Sequence, residues 1–515
     1  MRRERLTTIL ILLMALLAMP GVMAEKSAAQ AVNRTQKDEA PLYITLWFDT
    51  EDYVLPQSDD AALRLAEMLT RLGVTANFKL VGEKARVLEK RGRRDVIAAL
   101  KRHEIGYHSN LHSGQPTPAV YLQHMGWEDG ADEFHRREVD GVRDIERIFG
   151  VTPICYGQPG SSWAAQTYPA LRKMGIRMYL DESGHVGIDD QPFYYGGMFN
   201  VTRMRSNTLR LELGKNDNLA TAQEKFAEVS RRLTARGGGT ISIYYHPCEF
   251  VHREFWDGVN FRRGESPLPS ELKPPPMQTA EEIERNYRDF EAFVSFLKAQ
   301  RGVRFVTGAE LMKSYADGTR NRIFGTDELR PIAAAVQKEI SYFSFSGLTG
   351  PAKSHDWLSA AESFHLLNNA LLGQPASLPL APIDGPADVF KPGAGSRPLS
   401  SIRYAELLRT ARDVDGFLRT HGRIPDQVWV GTSSLSPADY LATIGGVIEE
   451  MAVRGVPPAM VTIRAGRFTA ESQVAVDSEK LWGWVIFPEG FHSPRIMEQA
   501  RLQAWTLKPA ALHNR

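Results

Sequence analysis

An apolar run that ends abruptly in carboxylates is the strongest pattern in the chain: LYITLWFDTEDY, residues 42–53. Nearly every position from Leu42 to Phe48 is aliphatic or aromatic, which predicts a strand buried on both faces, as in a parallel sheet or an α/β barrel. Asp49, Glu51 and Asp52 follow at once. In such folds the chemistry lies at the C-terminal ends of the strands. The acids therefore indicate a site, with a polar cap on a buried strand as the alternative.

Strand and helix patterns alternate through the next two hundred or so residues. Residues 60–72 and 95–102 have apolar positions at helical spacing, whereas 74–80 and 103–108 are strand-like. This alternation predicts βα units around a parallel sheet. We predict further strands at 153–156, 177–181, 240–245 and 303–306, and further helices at 133–149, 169–174 and 280–298.

Helical patterns dominate beyond residue 315. Helices are predicted at 359–372 and 404–420, with a Pro/Gly-rich linker at 374–398 between them. Two segments, LSAAESF and LSPADYL, share a serine placed to cap a helix. We predict a second, smaller, mostly helical domain at 331–515 whose core includes residues 428–430 and 481–487, and we find no catalytic constellation in it.

Charge and composition narrow the function classes. The 515 residues include 62 Lys and Arg against 61 Asp and Glu, a formal net charge of +1. A chain with no global positive field has no long-range attraction to nucleic acid or to an anionic membrane, which leaves a local basic patch as the alternative. We therefore expect no nucleic-acid partner. The length predicts at least two domains.

The N-terminus has the three parts of an export signal. Basic Arg2, Arg3 and Arg5 precede an apolar segment at 10–17, and small residues follow at 22 and 24. We expect residues 1–24 to be a cleaved signal peptide, which predicts a periplasmic, cell-envelope or extracellular protein with no stable membrane span. The two cysteines, Cys155 and Cys248, are either one disulfide or two buried thiols.

Histidines follow two of the predicted strands. His108 and His112 lie four apart in HSNLH, a spacing that lets two imidazoles share one metal ion. The carboxylates near residue 50 offer an oxygen ligand to the same ion. His246 ends the strand-like run TISIYYHP, so we expect it in the same site.

Four motifs in order, FDTED, HSNLH, YGQPG and YYHP, resemble those of the polysaccharide deacetylases with NodB homology, carbohydrate esterase family 4. The resemblance covers residues 41–315 and implies a distorted (β/α) barrel of the NodB type. It implies Asp49 as general base, Glu51, His108 and His112 as ligands of a divalent metal, with zinc the expected ion, and His246 as general acid.

Two assignments stay open within this resemblance. We prefer Glu51 to Asp52 as ligand because an acid two residues along a strand returns to the same side. The family more often has adjacent aspartates, which keeps Asp52 as the alternative. Asp181, at the end of another predicted strand, is a weaker candidate for orienting His246.

The third motif departs from the family pattern at two positions. The arginine that braces the catalytic aspartate would fall on Gly157, so Asp49 lacks its expected partner. The tyrosine whose backbone N–H binds the oxyanion would fall on Gly160, where a backbone N–H survives the change of side chain.

The resemblance implies a metal-dependent hydrolase that removes N-acetyl or O-acetyl groups from a cell-envelope or extracellular carbohydrate, so the expected partner is an acetylated glycan. A metal with three protein ligands and an open position lowers the pKa of bound water to about 7. The missing arginine motivates the alternative, an inactive barrel that acts as a glycan-binding module or envelope scaffold.

Overall fold

The computed structural model describes residues 40–182, 184–202, 206–215, 218–320, 322–346, 355–393 and 398–513. The predicted export signal, residues 1–24, lies outside these ranges. Within them, every helix is too short or too polar to span a membrane.

Strands are distributed along the whole described chain. They are β1 (Leu42–Thr50), β2 (Asn77–Leu80), β3 (Glu104–Tyr107), β4 (Cys155–Tyr156), β5 (Met178–Glu182), β6 (Phe193–Tyr195), β7 (Met198–Thr202), β8 (Gly239–Tyr245), β9 (Val303–Phe305), β10 (Phe343–Ser346), β11 (His355–Leu358), β12 (Ser401–Arg403), β13 (Val428–Val430), β14 (Ser433–Leu435), β15 (Met460–Thr462) and β16 (Lys508–Pro509).

Ten of these strands form one curled sheet around β1. The order is β16-β6-β7-β5-β4-β3-β2-β1-β8, and β9 also pairs with β1. The pairs from β2 to β5 and those of β1 with β2, β8 and β9 are parallel, whereas β6 pairs antiparallel with β7 and β16. The mixed α/β class is therefore confirmed.

The sheet is a curled half-barrel, which supports the coarser part of the prediction of a distorted barrel. In the part of the chain that the structure describes, the end strands β16 and β8 do not pair with each other, so the sheet curls without closing. The hairpin from β6 to β7 lies beside the end strand β16, and its antiparallel direction interrupts the parallel arrangement there.

Helices cover the sheet and build the C-terminal part. They are α1 (Pro56–Arg71), α2 (Gly82–Lys90), α3 (Arg94–Leu100), α4 (Pro118–Leu122), α5 (Trp127–Phe149), α6 (Thr167–Lys173), α7 (Asn218–Thr234), α8 (Trp256–Asn260), α9 (Ala280–Lys298), α10 (Gly308–Ser314), α11 (Thr326–Val336), α12 (Ala360–Leu371), α13 (Tyr404–His421), α14 (Pro437–Arg454) and α15 (Pro494–Gln503).

All nine residues of β1 are buried, which agrees with the strand's place between two neighbours and beneath helices. Phe48 stacks on Phe78 of β2, with ring centroids 4.7 Å apart, and meets Phe290 of α9 edge-on. This packing fixes the end of β1, where the acidic residues begin, against the core of the sheet.

A second hydrophobic cluster contains residues from α11 to α14, together with β12, β13 and β15. This cluster does not extend over the whole of the predicted second domain, residues 331–515. Trp482 and Phe487, and the buried face of α15, belong to the main core instead, and β16 joins the large sheet. The expectation that residues 481–487 fill the second core is therefore wrong. The division into two domains stays a prediction.

Both cysteines are buried free thiols. Burial raises the pKa of each, so neither is activated as a nucleophile.

Candidate functional site

The three acidic residues at the end of β1 contact different partners. Asp49 and Glu51 line one cavity, whereas the Asp52 carboxylate lies elsewhere: it accepts a 2.5 Å hydrogen bond from Ser58 and lies 2.9 Å from His252 Nε2. Asp52 also accepts from the backbone N–H groups of residues 54 and 55. Its oxygens thus hold the turn into α1, and Glu51 is the acid left facing the histidines.

The HSNLH segment forms a tight loop after β3. Ser109 and His112 have left-handed backbone conformations, with φ of 64° and 55°. Such conformations are uncommon outside glycine and cluster at functional sites. The Ser109 hydroxyl accepts from His112 N–H at 3.0 Å, and Glu138 of α5 accepts from Asn110 N–H at 2.8 Å. These bonds turn both imidazoles to the same side.

Glu51, His108 and His112 offer three ligand atoms that all lie within 4.8 Å of one another. Glu51 Oε2 is 3.5 Å from His108 Nε2 and 2.9 Å from His112 Nε2. All three side chains are buried. Two imidazole nitrogens and one carboxylate oxygen are a donor set of catalytic zinc sites, in which a further position stays open.

Each imidazole has a hydrogen-bond partner at Nδ1, and Glu51 lies near both Nε2 atoms. His108 Nδ1 lies 2.9 Å from the carbonyl oxygen of Gly157, which can only accept, so Nδ1 carries the proton. His112 Nδ1 lies 2.7 Å from the Ser113 hydroxyl. A carbonyl partner of this kind fixes the tautomer of a metal-binding histidine, and the Ser113 hydroxyl would do the same for His112 where it accepts from Nδ1. The residues present therefore fit a divalent cation.

The indole of Trp256 orients the carboxylate. Trp256, at the start of α8, is fully buried and donates from Nε1 to Glu51 Oε1 at 2.9 Å. With one oxygen held by the indole, the other is directed towards the two histidines. The segment at the start of α8 thus supports the site as well as forming one of its walls, through Phe255 and Asp257.

Lys79 of β2 pairs with Asp49. Its Nζ is 2.8 Å from Asp49 Oδ1, and both side chains are buried. Asp49 Oδ1 is also 3.5 Å from His108 Nδ1, and Asp49 Oδ2 is 3.7 Å from His246 Nε2. The aspartate expected to lack a basic partner therefore has one, supplied by a different strand.

His246 follows β8, and its ring joins the pocket to a second carboxylate. Its Nδ1 is 3.3 Å from Glu249 Oε1, which also accepts from His246 N–H at 2.7 Å. Arg210 pairs with the same glutamate. The side chain of Asp181, the weaker candidate for this task, lies outside the described part of the structure. Glu249 is the carboxylate that holds His246 with Nε2 facing Asp49.

Burial and neighbouring charges separate the pKa values of the site. Burial would raise the pKa values of Asp49 and Glu51, but the surrounding histidines, with Lys79 beside Asp49, hold both below their usual range. Burial lowers the pKa of His108, which favours its neutral form. Burial also opposes protonation of His246, yet Glu51, Glu249 and Asp49 together raise its pKa to about 9.

The cavity over these residues has a volume of about 510 Å³. It is also lined by Gly160, Ser161, Phe255 and Asp257 and by residues from much later in the chain, namely Lys480, Leu481, Gly483, Trp484 and Val485. Trp484 donates to Asp257 Oδ2 at 2.8 Å, and its ring is 5.3 Å from that of His112. The C-terminal part of the chain therefore contributes directly to this pocket.

Gly160 lies directly beneath Trp484. A Cβ at this glycine would be 2.1 Å from the indole, and its φ of 53° is itself left-handed. The glycine that replaces the expected tyrosine is thus required by the tryptophan above it.

The structure brings together all six predicted site residues: Asp49, Glu51, His108, His112, Gly160 and His246. Four further residues of the site were not predicted from the sequence, namely Lys79, Glu249, Trp256 and Trp484. Glu249 has a local signal, since it lies three residues after His246 and accepts from its backbone N–H. The other three are distant in sequence from their partners and carry no such signal.

No family model matches the chain, and no curated protein matches it. Solved structures do match. One, assigned as a polysaccharide deacetylase from Mycobacterium smegmatis, is 14% identical, covers 54% of this chain and 90% of its own, and has a TM-score of 0.36.

Two other matches differ in activity. PuuE allantoinase is 12% identical over 53% of this chain and 90% of its own, with a TM-score of 0.36. A mutant of a CE4 family pseudoenzyme is 14% identical over 54% of this chain and 68% of its own, with a TM-score of 0.30. These TM-scores are too low to indicate a function for this chain.

Proposed function

We propose that this protein is a metal-dependent hydrolase that removes acetyl groups from a carbohydrate. The observation that carries the proposal is the convergence of Glu51, His108 and His112 within 4.8 Å of one another, beside Asp49 and His246. A metal donor set, a base and an acid in one cavity are the groups that amide hydrolysis needs.

Glu51, His108 and His112 would hold the ion. When bound, a divalent cation polarises a carbonyl and makes water a stronger nucleophile at neutral pH. Zinc suits the two imidazoles and one carboxylate.

Asp49 and His246 would divide the proton transfers. Asp49 takes a proton from the attacking water as its oxygen bonds to the acetyl carbon. His246 gives a proton to the nitrogen as the carbon–nitrogen bond breaks, so acetate and an amine leave. Glu249 keeps the His246 ring turned to the pocket throughout. Gly160 is our candidate for a backbone N–H donor to the developing oxyanion.

The proposed substrate is a glycan of the cell envelope or the extracellular space. Trp484 and Phe255 give the cavity lining an aromatic character, and indole rings bury large amphipathic surfaces at low entropic cost. The apparent export signal would place the enzyme where cell-envelope and extracellular glycans occur.

The test is acetate release from a panel of N-acetylated and O-acetylated glycans, run with metal analysis. We expect about one divalent ion per chain and acetate from at least one substrate. His108→Ala and His112→Ala should lose metal and activity together. If the wild-type protein binds glycans but binds no metal and releases no acetate, that result would instead support the inactive-barrel alternative.

A further inference from the structure

The space beside Asp49 holds the Lys79 ammonium and leaves no room for a side chain at Gly157. Lys79 is the register partner of Asp49 across β1 and β2, and its Nζ also donates to the carbonyl oxygen of Leu180 at 3.0 Å. A Cβ at Gly157 would lie 2.1 Å from this Nζ and 2.7 Å from that carbonyl oxygen. A side chain at 157 would therefore clash with both the Lys79 ammonium and the Leu180 carbonyl.

The lysine is held on several sides. Its Nζ lies 4.0 Å from the centroid of the Trp47 ring, and the Trp47 indole is itself anchored by donating to Ser242 Oγ at 3.0 Å. The Lys79 side chain is 0% exposed. A buried ammonium is tolerated only where it is paired and hydrogen-bonded, and Asp49 supplies the carboxylate.

This pairing constrains the aspartate in turn. With Oδ1 held 2.8 Å from Nζ, Asp49 presents Oδ2 on the side of His246, at 3.7 Å. Rotation of the carboxylate would break the ion pair inside a buried site, where separated charges are costly. The orientation of Asp49 is therefore coupled to Lys79.

We propose that Lys79 is a positioning residue that holds the Asp49 carboxylate for proton transfer, supplying from β2 the cation that position 157, after β4, does not carry. The inference rests on the proposed function, in which Asp49 is the base. It also accounts for the glycine at 157, which leaves the space that the lysine fills.

The first test compares Lys79→Met with wild type in steady-state kinetics and metal content. We expect kcat to fall by about 10²-fold, the usual cost of misplacing a reacting group by about 1 Å. KM and metal content should stay unchanged, because the ion pair of Lys79 is with Asp49, which is not a proposed metal ligand. An unchanged kcat, or a loss of metal, would overturn the proposal.

Lys508→Met is the matched control. Lys508 is 3% exposed and lies 2.7 Å from Asp317 and 2.9 Å from Glu362, but it belongs to β16, at the opposite end of the sheet order from β1 and β8. Its loss should lower thermal stability and leave kcat unchanged. A similar fall in kcat for Lys508→Met would show that the Lys79 effect is general destabilisation.

Lys79→Ala with ethylammonium tests whether the missing group is the cation itself. Removing the side chain leaves space next to Asp49, which lines the cavity. Ethylammonium should raise kcat, and an equal concentration of sodium chloride should not. A kcat that ethylammonium fails to raise would count against the proposal.

Crystal structures of wild type and Lys79→Met separate this inference from the proposed function. We expect the Asp49 carboxylate to move or rotate by about 1 Å or more in the variant. An unmoved carboxylate overturns the positioning role. Absence of acetate release by wild type refutes the proposed function instead, and the position of Asp49 still decides the role of Lys79.

Discussion

Replacing Trp256 with phenylalanine would isolate the hydrogen bond that orients the proposed carboxylate ligand. The change removes the indole N–H, which lies 2.9 Å from Glu51 Oε1, and keeps most of the buried ring. Outer partners of metal ligands are worth about 10–100-fold in metal affinity. That range corresponds to about 1.4–2.8 kcal/mol.

The local structure supports a magnitude in this range. Glu51 is 3% exposed, so its Oε1 would lose its indole donor in a largely buried setting. An acceptor left unsatisfied in a buried site costs about 1–3 kcal/mol. The freed carboxylate can then rotate, and the affinity of the site should fall by at least about tenfold.

The assay is competition for zinc against a chromophoric chelator. Trp484→Phe is the matched control, since it also removes an indole N–H at the pocket, but that N–H is donated to Asp257 and not to a proposed ligand. We expect weaker zinc binding for Trp256→Phe and unchanged binding for Trp484→Phe. Equal zinc affinity of Trp256→Phe and wild type would refute the reasoning.

Three further predictions concern other parts of the site. His246→Ala should keep the metal and slow amide hydrolysis by about 10²–10⁴-fold, with a smaller loss on an ester, whose leaving group needs less help from an acid; equal losses on both would reject His246 as the acid. Trp484→Ala should raise KM for an oligosaccharide by at least about fivefold, as removal of a buried aromatic contact does, while kcat on a small acetyl ester stays constant. Burial raises the pKa of Glu138 from 4.5 to about 7. Between these pH values the folded state binds more protons than the unfolded state, so the contribution of Glu138 to the free energy of unfolding falls as pH rises. As pH rises from 4 to 8, the free energy of unfolding of Glu138→Gln should therefore increase by up to about 3 kcal/mol relative to that of wild type, measured by denaturant unfolding. A difference between the two proteins that stays constant with pH would contradict this pKa shift.

Local patterns predicted many of the elements. The helix expected at 280–298 is observed as Ala280–Lys298, and the serines in LSAAESF and LSPADYL do cap helices, with Ser359 and Ser436 accepting from N–H groups three residues on. Helix periodicity and capping depend on neighbours within a few residues, so they can be deduced from sequence. The helix Gly82–Lys90, which we did not predict, begins without a side-chain cap.

Contacts between distant residues could not be deduced in the same way. Leu481–Phe487 is apolar enough for any core, and only the tertiary structure places it over the pocket, with Trp484 on Gly160. The same holds for Lys79, whose pairing with Asp49 depends on strand register. Both glycines that depart from the family pattern, 157 and 160, are explained by side chains from elsewhere in the chain.

Acetate release by the metal-loaded protein, compared with Asp49→Asn, tests the central claim most directly. The substitution removes proton acceptance at nearly constant shape and leaves Glu51, His108 and His112 in place. We predict that wild type releases acetate from an acetylated glycan, and that Asp49→Asn binds the same amount of metal and releases none. Acetate release by Asp49→Asn at the wild-type rate, or loss of its metal, would contradict the account.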